Sequence, residues 1–257
     1  MGPASSGKET LRQMFQEGLN VCRLNFSHGS HEVHAETIKT IRELNEETGL
    51  NVAILADLQG PKIRTGNMKD NAMELVPGET LTIVIEEILG ENNTFSINYT
   101  QLPQDVKVGE RILLDDGKLS LDVISTNGIN EIKAKVIYGG TLSSHKGVNL
   151  PNTKISLPSL TEKDREDLDF ALSQNVDWLG LSFVRSARDI IELKYLVAAK
   201  KAKAKIIAKI EKPEAVEDIE AIVRESDALM VARGDLGVEI PYQQVPLIQK
   251  LLIQKAI

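Results

Sequence analysis

Cysteine is nearly absent from this sequence of 257 residues, which contains only Cys22. A single cysteine excludes an internal disulfide framework and suits a reducing compartment, so we expect a cytoplasmic protein. Cys22 lies in an apolar stretch, which predicts a core residue rather than a reactive thiol. No apolar run approaches the length of a membrane span, and the amino terminus lacks a signal-peptide pattern. We therefore expect no membrane partner.

An excess of positive charge is also missing. The formal net charge is −7, with a charged fraction of 26% and a hydrophobic fraction of 42%. The hydrophobic fraction is ample for a packed core. The acidic balance argues against nucleic acid as a partner, because nucleic-acid-binding domains carry clustered lysine and arginine.

Helices and strands alternate at the two ends of the chain. The patterns predict helices at 7–17, 30–49, 161–173, 187–200 and 214–224, and strands at 19–26, 52–56, 177–183, 205–210 and 227–232. In the second helix Val33, Ile38, Ile41 and Leu44 can share one face, and Gly49 is a plausible end. Strands that alternate with helices indicate a parallel sheet.

The middle of the chain has a different residue pattern, without alternating helices and strands. Short β-branched runs at 81–87, 95–99, 111–115, 118–126 and 131–138 are separated by Asp116-Gly117 and Asn127-Gly128, which are strong hairpin signals. They predict a small β-barrel or sandwich. We therefore divide the chain into a first barrel part (1–65), an inserted β-barrel lid domain (66–156) and a second barrel part (157–257).

Polar clusters follow the strands outside the insert, as in an α/β barrel that builds its active site at the carboxyl ends of its strands. Only five strands can be read there, whereas a closed barrel has eight and typically needs about 250 residues. The chain also ends inside an apolar helical pattern formed by Val245, Ile248, Leu251 and Leu252. The sequence therefore predicts an α/β fold with an incomplete (β/α)8 TIM-type barrel, truncated at its end.

Two strand ends carry the most informative chemistry. The runs 207–211 and 231–235 are small apolar segments that end in Glu211 and Asp235, about one strand–helix–strand repeat apart. If both runs are neighbouring parallel strands, the two carboxylates emerge side by side. With Lys209 between them they would bind a divalent cation and an anionic substrate.

Arg23, Asn25 and Ser27 share one face of a predicted strand, opposite Cys22, Leu24 and Phe26. This face is either a satisfied hydrogen-bond network or a phosphate-contacting arginine beside oxygen ligands for a cation. After Asp57, the Gly60-Pro61 pair forces a turn. That turn leaves Lys62 and Arg64 either pointing into the site or simply solvated.

His28, His31 and His34 invite a zinc interpretation, but no cysteine or acidic ligand set matches their spacing. Oxygen-rich surroundings favour hard cations instead. We therefore predict surface or capping histidines.

Six motifs of the chain resemble the pyruvate kinase family and occur in the order found there. They are residues 2–6 (GPASS), 23–29 (RLNFSHG), 60–66 (GPKIRTG), 146–151 (KGVNLP), 209–211 (KIE) and 230–237 (MVARGDLG). The resemblance covers the whole chain. It implies a glycolytic phosphotransferase that moves a phosphoryl group between phosphoenolpyruvate and ADP to give pyruvate and ATP, on a barrel with an inserted β domain.

The resemblance also implies roles for individual residues. Glu211 and Asp235 would hold Mg²⁺ or Mn²⁺, Lys209 and Arg23 would be catalytic, and both would contact substrate together with Arg233, Gly234 and Asp235. Asn25, His28, Arg64 and Lys146 would contact nucleotide, and Lys146 would close the lid. The family's first barrel strand, last barrel strands and carboxyl-terminal domain are not matched, which leaves the activity of this chain open.

Asn25, Ser27, Asp57 and the carbonyl of Leu58 resemble the family's potassium (K⁺) site. Many members have threonine at position 58 and glutamate where Lys62 stands. An ammonium group near the site can replace the charge of potassium, so we expect little potassium activation. The resemblance further implies a homotetramer for a full-length protein. The alternatives are another metal-dependent barrel acting on pyruvate enolates, of aldolase type, and a non-catalytic remnant.

Overall fold

The computed structural model describes all 257 residues, and they form two compact units. One, here called the parallel-sheet unit, contains Met1–Pro61, Ser159–Ala232 and Ile248–Ile257. The other, here called the β unit, contains Lys62–Pro158 and Arg233–Leu247. Each unit has its own cluster of buried hydrophobic residues.

The elements range from a two-residue strand to an 18-residue helix. The strands are β1 (Val21–Asn25), β2 (Ala53–Asp57), β3 (Ala72–Leu75), β4 (Thr80–Val84), β5 (Thr94–Ser96), β6 (Arg111–Leu114), β7 (Leu119–Thr126), β8 (Glu131–Tyr138), β9 (Gly140–Ser143), β10 (Val148–Asn149), β11 (Trp178–Leu181), β12 (Lys205–Ile210) and β13 (Ala228–Val231). The helices are α1 (Lys8–Gln16), α2 (His31–Thr48), α3 (Leu102–Asp105), α4 (Glu162–Ser173), α5 (Ala187–Ala199), α6 (Pro213–Glu217), α7 (Ile219–Glu225), α8 (Arg233–Glu239) and α9 (Val245–Ala256). Single 3₁₀ turns lie at Lys69–Asn71 and Tyr242–Gln244.

The parallel-sheet unit is built on a five-stranded sheet in the order β1-β2-β11-β12-β13, with every neighbouring pair parallel. This confirms the five strands and the parallel sheet predicted from the alternating pattern, and it agrees with an incomplete barrel. In register, Asn25 lies beside Asp57, and Asp57 lies beside Gly180. The carboxyl ends of all five strands therefore meet at one edge of the sheet.

Helix α2 shows where the helical pattern was right and where it was wrong. The helix ends at Gly49, and Ile38, Ile41 and Leu44 are buried, as predicted. Val33, however, is 59% exposed and does not belong to the buried face. The buried position of that first turn is taken by His34, whose ring stacks on Phe26 at a centroid distance of 4.4 Å.

The single helix predicted at 214–224 is two short helices, α6 and α7, which meet at Asp218. The physical reason lies outside the local sequence. The carboxylate of Asp218 accepts a hydrogen bond from the backbone N–H of Ala187 at 2.9 Å, at the first residue of α5. Asp218 thereby satisfies one of the backbone donors left unpaired at a helix start, and the chain turns to place it there.

The β unit contains a six-stranded sheet in the order β10-β6-β7-β8-β4-β5 and a small β3-β9 pair. The β6–β7 and β7–β8 pairs are antiparallel, which confirms the hairpins predicted at Asp116-Gly117 and Asn127-Gly128. Strands β3, β9 and β10 were not predicted. They have two to four residues each, too few for an alternating pattern to stand out.

The last helix, α9, confirms the helical pattern read at the end of the chain, and Leu252 is fully buried in the core of the parallel-sheet unit. Leu251, assigned to the same pattern, is 38% exposed. Cys22 is fully buried, as predicted, and burial raises the pKa of its thiol to about 11. None of the helices combines the length and the apolar character needed to span a bilayer.

One buried and one exposed residue of α2, Ile41 and Val33, give a matched pair of substitutions. Ile41→Ala should lower the free energy of unfolding by about 2–5 kcal/mol, because it leaves a cavity in the core. Val33→Ala in the same helix should change it by less than about 0.5 kcal/mol, because the side chain is largely exposed. Urea unfolding followed by circular dichroism measures both, and equal losses would contradict the assigned faces.

Candidate active site at the strand ends

A buried cluster of charge lies at the carboxyl ends of β2 and β12. The ammonium nitrogen Nζ of Lys209 is 3.0 Å from Asp57 Oδ1 and 2.9 Å from Glu211 Oε1. The three side chains are only 9%, 1% and 2% exposed, respectively. Burying charged groups is tolerated when they are paired in good geometry, and here one cation bridges two anions.

The environment of Lys209 fixes its charge state. Burial alone would lower the pKa of Lys209, because it disfavours the charged form. The carboxylates of Glu211 and Asp57 outweigh this effect, and the pKa of Lys209 is raised above its ordinary value. The side chain is therefore an ammonium ion throughout the neutral pH range.

Arg23 extends this cluster toward solvent. Its Nε donates a hydrogen bond to Asp57 Oδ2 at 2.6 Å, and its terminal Nη2 contacts the same oxygen. The Arg23 side chain is 49% exposed, so the buried carboxylate anchors a guanidinium whose remaining donors face outward. Strand alternation in β1 puts Arg23 and Asn25 on the more exposed face, as predicted, whereas Ser27 lies in the turn after the strand.

Gly180 makes room for the Asp57 carboxylate, a requirement that the sequence alone did not indicate. The two residues are register neighbours on β11 and β2. A Cβ atom at position 180 would lie 3.1 Å from Asp57 Oδ1. Any side chain there would press on the carboxylate that binds both Arg23 and Lys209, so the absence of a side chain maintains the cluster.

The turn after β2 is held by contacts from two other elements. The backbone N–H of Gly60 donates to Asp164 Oδ1 at 3.0 Å, and Asp164 also forms the capping box of α4 with Thr161. Gly60 has φ +72°, and a Cβ on it would come within 2.8 Å of the Phe183 ring. The left-handed backbone conformation and the close packing therefore both favour glycine at position 60.

Asn25 and His28, predicted to contact nucleotide, line a cavity of about 580 Å³ together with Pro3, Leu24 and Gly29. The side-chain oxygen of Asn25 already accepts a hydrogen bond from the N–H of Ser27 at 3.0 Å, within its own turn. The cavity lies entirely within the parallel-sheet unit. It is large enough for a small organic ligand.

The histidines have structural partners. His31 binds the buried Asp167 at 2.8 Å and stacks on Phe170 at a centroid distance of 4.3 Å. His34 is buried against Phe26, and this burial lowers its pKa. The prediction of surface or capping histidines is therefore wrong for His34, which is a buried residue, because the ring of Phe26, directly after β1, stacks on it.

Two predicted nucleotide contacts lie in the β unit. The guanidinium of Arg64 donates to the carbonyl of His145 at 2.8 Å. Lys146 pairs with Asp115 at 2.8 Å, and Lys118 contacts the same carboxylate at 2.9 Å. Hydrogen bonds from Lys146 and then Lys118 lower the pKa of Asp115. Both cations therefore have defined orientations.

Arg233, Gly234 and Asp235 form the first turn of α8, and all three are exposed. They belong to the β unit, whereas Glu211 belongs to the parallel-sheet unit. The adjacency of Glu211 and Asp235 stays a prediction from the sequence. Strands β12 and β13, which precede the two carboxylates, are hydrogen-bonded neighbours as expected.

A parallel sheet wrapped by helices, with ionised side chains gathered at its carboxyl edge, defines an α/β-barrel enzyme fold. Residues 1–257 match the model of the pyruvate kinase barrel domain, and the chain belongs to this family.

The curated relatives agree with this assignment. The chain is 50% identical over 257 residues to the pyruvate kinase of Geobacillus stearothermophilus, with 99% of the chain and 44% of that protein covered. It is 45% identical to the pyruvate kinase of Staphylococcus aureus (strain MRSA252), with 99% and 44% covered, and 46% identical to that of Corynebacterium efficiens, with 100% and 54% covered. The chain thus spans about half the length of these relatives.

The buried cluster predicts a large stability effect. Lys209→Met should lower the free energy of unfolding at pH 7 by about 3–5 kcal/mol, because it leaves two buried carboxylates without their cation. Lys194→Met, which removes an exposed pair with Glu225, should cost less than about 1 kcal/mol.

The contribution of Lys209 to the free energy of unfolding should decrease at high pH. Because the pKa of Lys209 is raised on folding, its contribution is fully present below about pH 10.4 and is lost as the pH rises through the folded value. Urea unfolding from pH 7 to 11 should therefore show a steeper loss for the unmodified protein than for Lys209→Met. Parallel curves would contradict the assigned ion pairs.

Proposed function

We propose that this chain carries the phosphoryl-transfer centre of a pyruvate kinase, acting between phosphoenolpyruvate and ADP in glycolysis. The observation that carries the proposal is the buried Lys209 ammonium, fixed at the strand ends between Asp57 and Glu211. Family membership supports the choice of reaction. Support for a location in the cytoplasm comes from the single cysteine, and support for a homotetramer of a full-length protein comes from the family resemblance.

Phosphoryl transfer requires positioning and charge neutralisation more than covalent chemistry by the protein. Lys209 would neutralise the phosphoryl group as it moves, and Arg23 would contribute a second cation whose outward donors are available to a phosphate. Both cations are anchored on Asp57, so their positions are set before substrate binds. Such preorganised charge needs no rearrangement at the moment of reaction.

The donor chemistry fits a divalent metal. Glu211 is a buried carboxylate, and its neighbour Asp57 has an oxygen, Oδ1, that meets Lys209 at 3.0 Å without hydrogen-bond geometry. Carboxylate oxygens are the ligands that Mg²⁺ and Mn²⁺ prefer, and Glu211 and Asp235 would hold the ion. When bound, the metal would supply positive charge to the enolate and phosphoryl oxygens.

The remaining contacts divide between nucleotide and substrate. Asn25 and His28 line the cavity described above, and Arg64 and Lys146 would bind phosphate oxygens of ADP or ATP. The Asp115 carboxylate that orients Lys146 would give way to a phosphate as its partner. The backbone of Arg233, Gly234 and Asp235, at the exposed start of α8, would hold the carboxylate of phosphoenolpyruvate or pyruvate.

The activity test uses a version of the protein extended to the length of its relatives. Lys209→Ala should lower kcat for phosphoryl transfer about 10²–10³-fold per folded molecule, because it removes a charge aimed at the transition state. Lys194→Ala, at an exposed ion pair, should leave kcat unchanged. Coupled spectrophotometric assays, with folding checked by circular dichroism, measure both, and normal turnover in Lys209→Ala would overturn the proposed role.

Potassium dependence is a separate prediction for the same extended protein. Two of the predicted ligands each accept one hydrogen bond, Asn25 Oδ1 from the N–H of Ser27 and the Leu58 carbonyl from Ser182. The sequence predicts that the charge of Lys62 replaces that of potassium, so replacing sodium by potassium at constant ionic strength should raise the rate by less than about tenfold. A larger rise would contradict this prediction and show that potassium is required. Lys62 would then not replace the ion, so Lys62→Glu should leave the potassium response unchanged.

A further inference from the structure

Ser182 is a buried residue that follows β11, and its hydroxyl joins two parts of the site. The hydroxyl donates a hydrogen bond to the carbonyl of Leu58 at 2.6 Å. Its one proton is therefore committed, and toward any other group it can act only as an acceptor. It accepts from Lys209 Nζ, also at 2.6 Å.

This hydrogen bond completes the coordination of the Lys209 ammonium. An ammonium group has three donors and no acceptor. Here Nζ donates a hydrogen bond to Ser182 Oγ at 2.6 Å, and it lies within ion-pair distance of Glu211 Oε1 at 2.9 Å and of Asp57 Oδ1 at 3.0 Å. Two of these groups are anionic and one is neutral, so Ser182 orients the ammonium without cancelling more of its positive charge.

The next residue, Phe183, holds the other side of the pair. Its backbone N–H donates to Glu211 Oε2 at 2.9 Å, so both oxygens of that carboxylate are engaged. Phe183 has φ +54°, a left-handed conformation that is strained for a bulky side chain. Such conformations persist where the surrounding structure enforces them, and they cluster at functional sites.

We propose that the Ser182-Phe183 turn is a positioning element for Lys209 and Glu211. The Ser182 hydroxyl sets the direction of the ammonium, and the Phe183 amide sets the plane of the carboxylate. Because Ser182 also holds the Leu58 carbonyl, the turn joins β11, the segment after β2 and the end of β12 into one hydrogen-bonded unit. The consequence for phosphoryl transfer rests on the proposed function of Lys209, whereas the positioning itself does not.

The test compares two side chains of the same shape at position 182. Ser182→Val and Ser182→Thr add the same bulk, but only threonine keeps the hydroxyl. In the 257-residue protein labelled with ¹⁵N-lysine, the Lys209 ammonium signal is assigned by its loss in Lys209→Met. We expect its protons to exchange with solvent about tenfold faster in Ser182→Val, because one charge-assisted hydrogen bond is lost, and at the unmodified rate in Ser182→Thr.

Ser159→Ala is the matched control. Ser159 is equally buried and donates to Asp189 at 2.8 Å, away from Lys209, so its loss should leave Lys209 exchange unchanged. Equal exchange in Ser182→Val and Ser182→Thr, or faster exchange in Ser159→Ala, would overturn the positioning role.

A second readout connects positioning with turnover. In the extended protein, Ser182→Val should lower kcat about tenfold, change KM for phosphoenolpyruvate by less than about twofold, and be rescued by threonine. A parallel rise in KM, or no rescue, would count against positioning. If the proposed function itself is wrong, the Lys209→Ala variant should turn over substrate normally. The Lys209 ammonium protons should still exchange faster in Ser182→Val than in Ser182→Thr.

Discussion

The architecture of the site depends on one buried interaction, the contact of Lys209 with Asp57 and Glu211. Removing these charges from water is costly, and their attraction compensates only when the geometry is good. That geometry comes from the parallel sheet, because Asp57 and Lys209 lie on β2 and β12 with β11 between them. Strand β11 contributes Gly180, which leaves space for Asp57, and Ser182 directly after β11 accepts a hydrogen bond from Lys209. The charged residues therefore depend on small residues in β11 and directly after it.

Much of this could be predicted from the sequence, because the signals are local. Hydrophobic periodicity indicated the alternating helices and strands, and Asp-Gly and Asn-Gly indicated the hairpins of the β unit. The two-residue period of a strand placed Arg23 and Asn25 on one face. The charged strand ends indicated Lys209 and Glu211 for a simple reason. A run of small apolar residues that ends in charge is typical of a buried parallel strand whose carboxyl end reaches the edge of the sheet.

The failures share one cause, which is contact between residues distant in the chain. Val33 fits the helical pattern of α2, yet His34 is the buried residue because Phe26 stacks against it. The break at Asp218 follows from a hydrogen bond to Ala187. Ser182 lies within the strand predicted at 177–183, but its role depends on which carbonyl and which ammonium group the register brings to it. Sequence patterns report the side of an element that faces the core, not the partner found there.

Asp164 illustrates how far such a partnership reaches. One carboxylate caps the first turn of α4 and also binds the backbone of Gly60 in the turn after β2. The start of α4 and the segment at Gly60 cannot unfold independently. Opening either one leaves the buried Asp164 carboxylate without some of its hydrogen bonds. The segment that follows Asp57 therefore unfolds cooperatively with α4, although Gly60 and Asp164 are 104 residues apart in the chain. A segment that looks like a surface loop in sequence thus opens and closes together with the start of a helix.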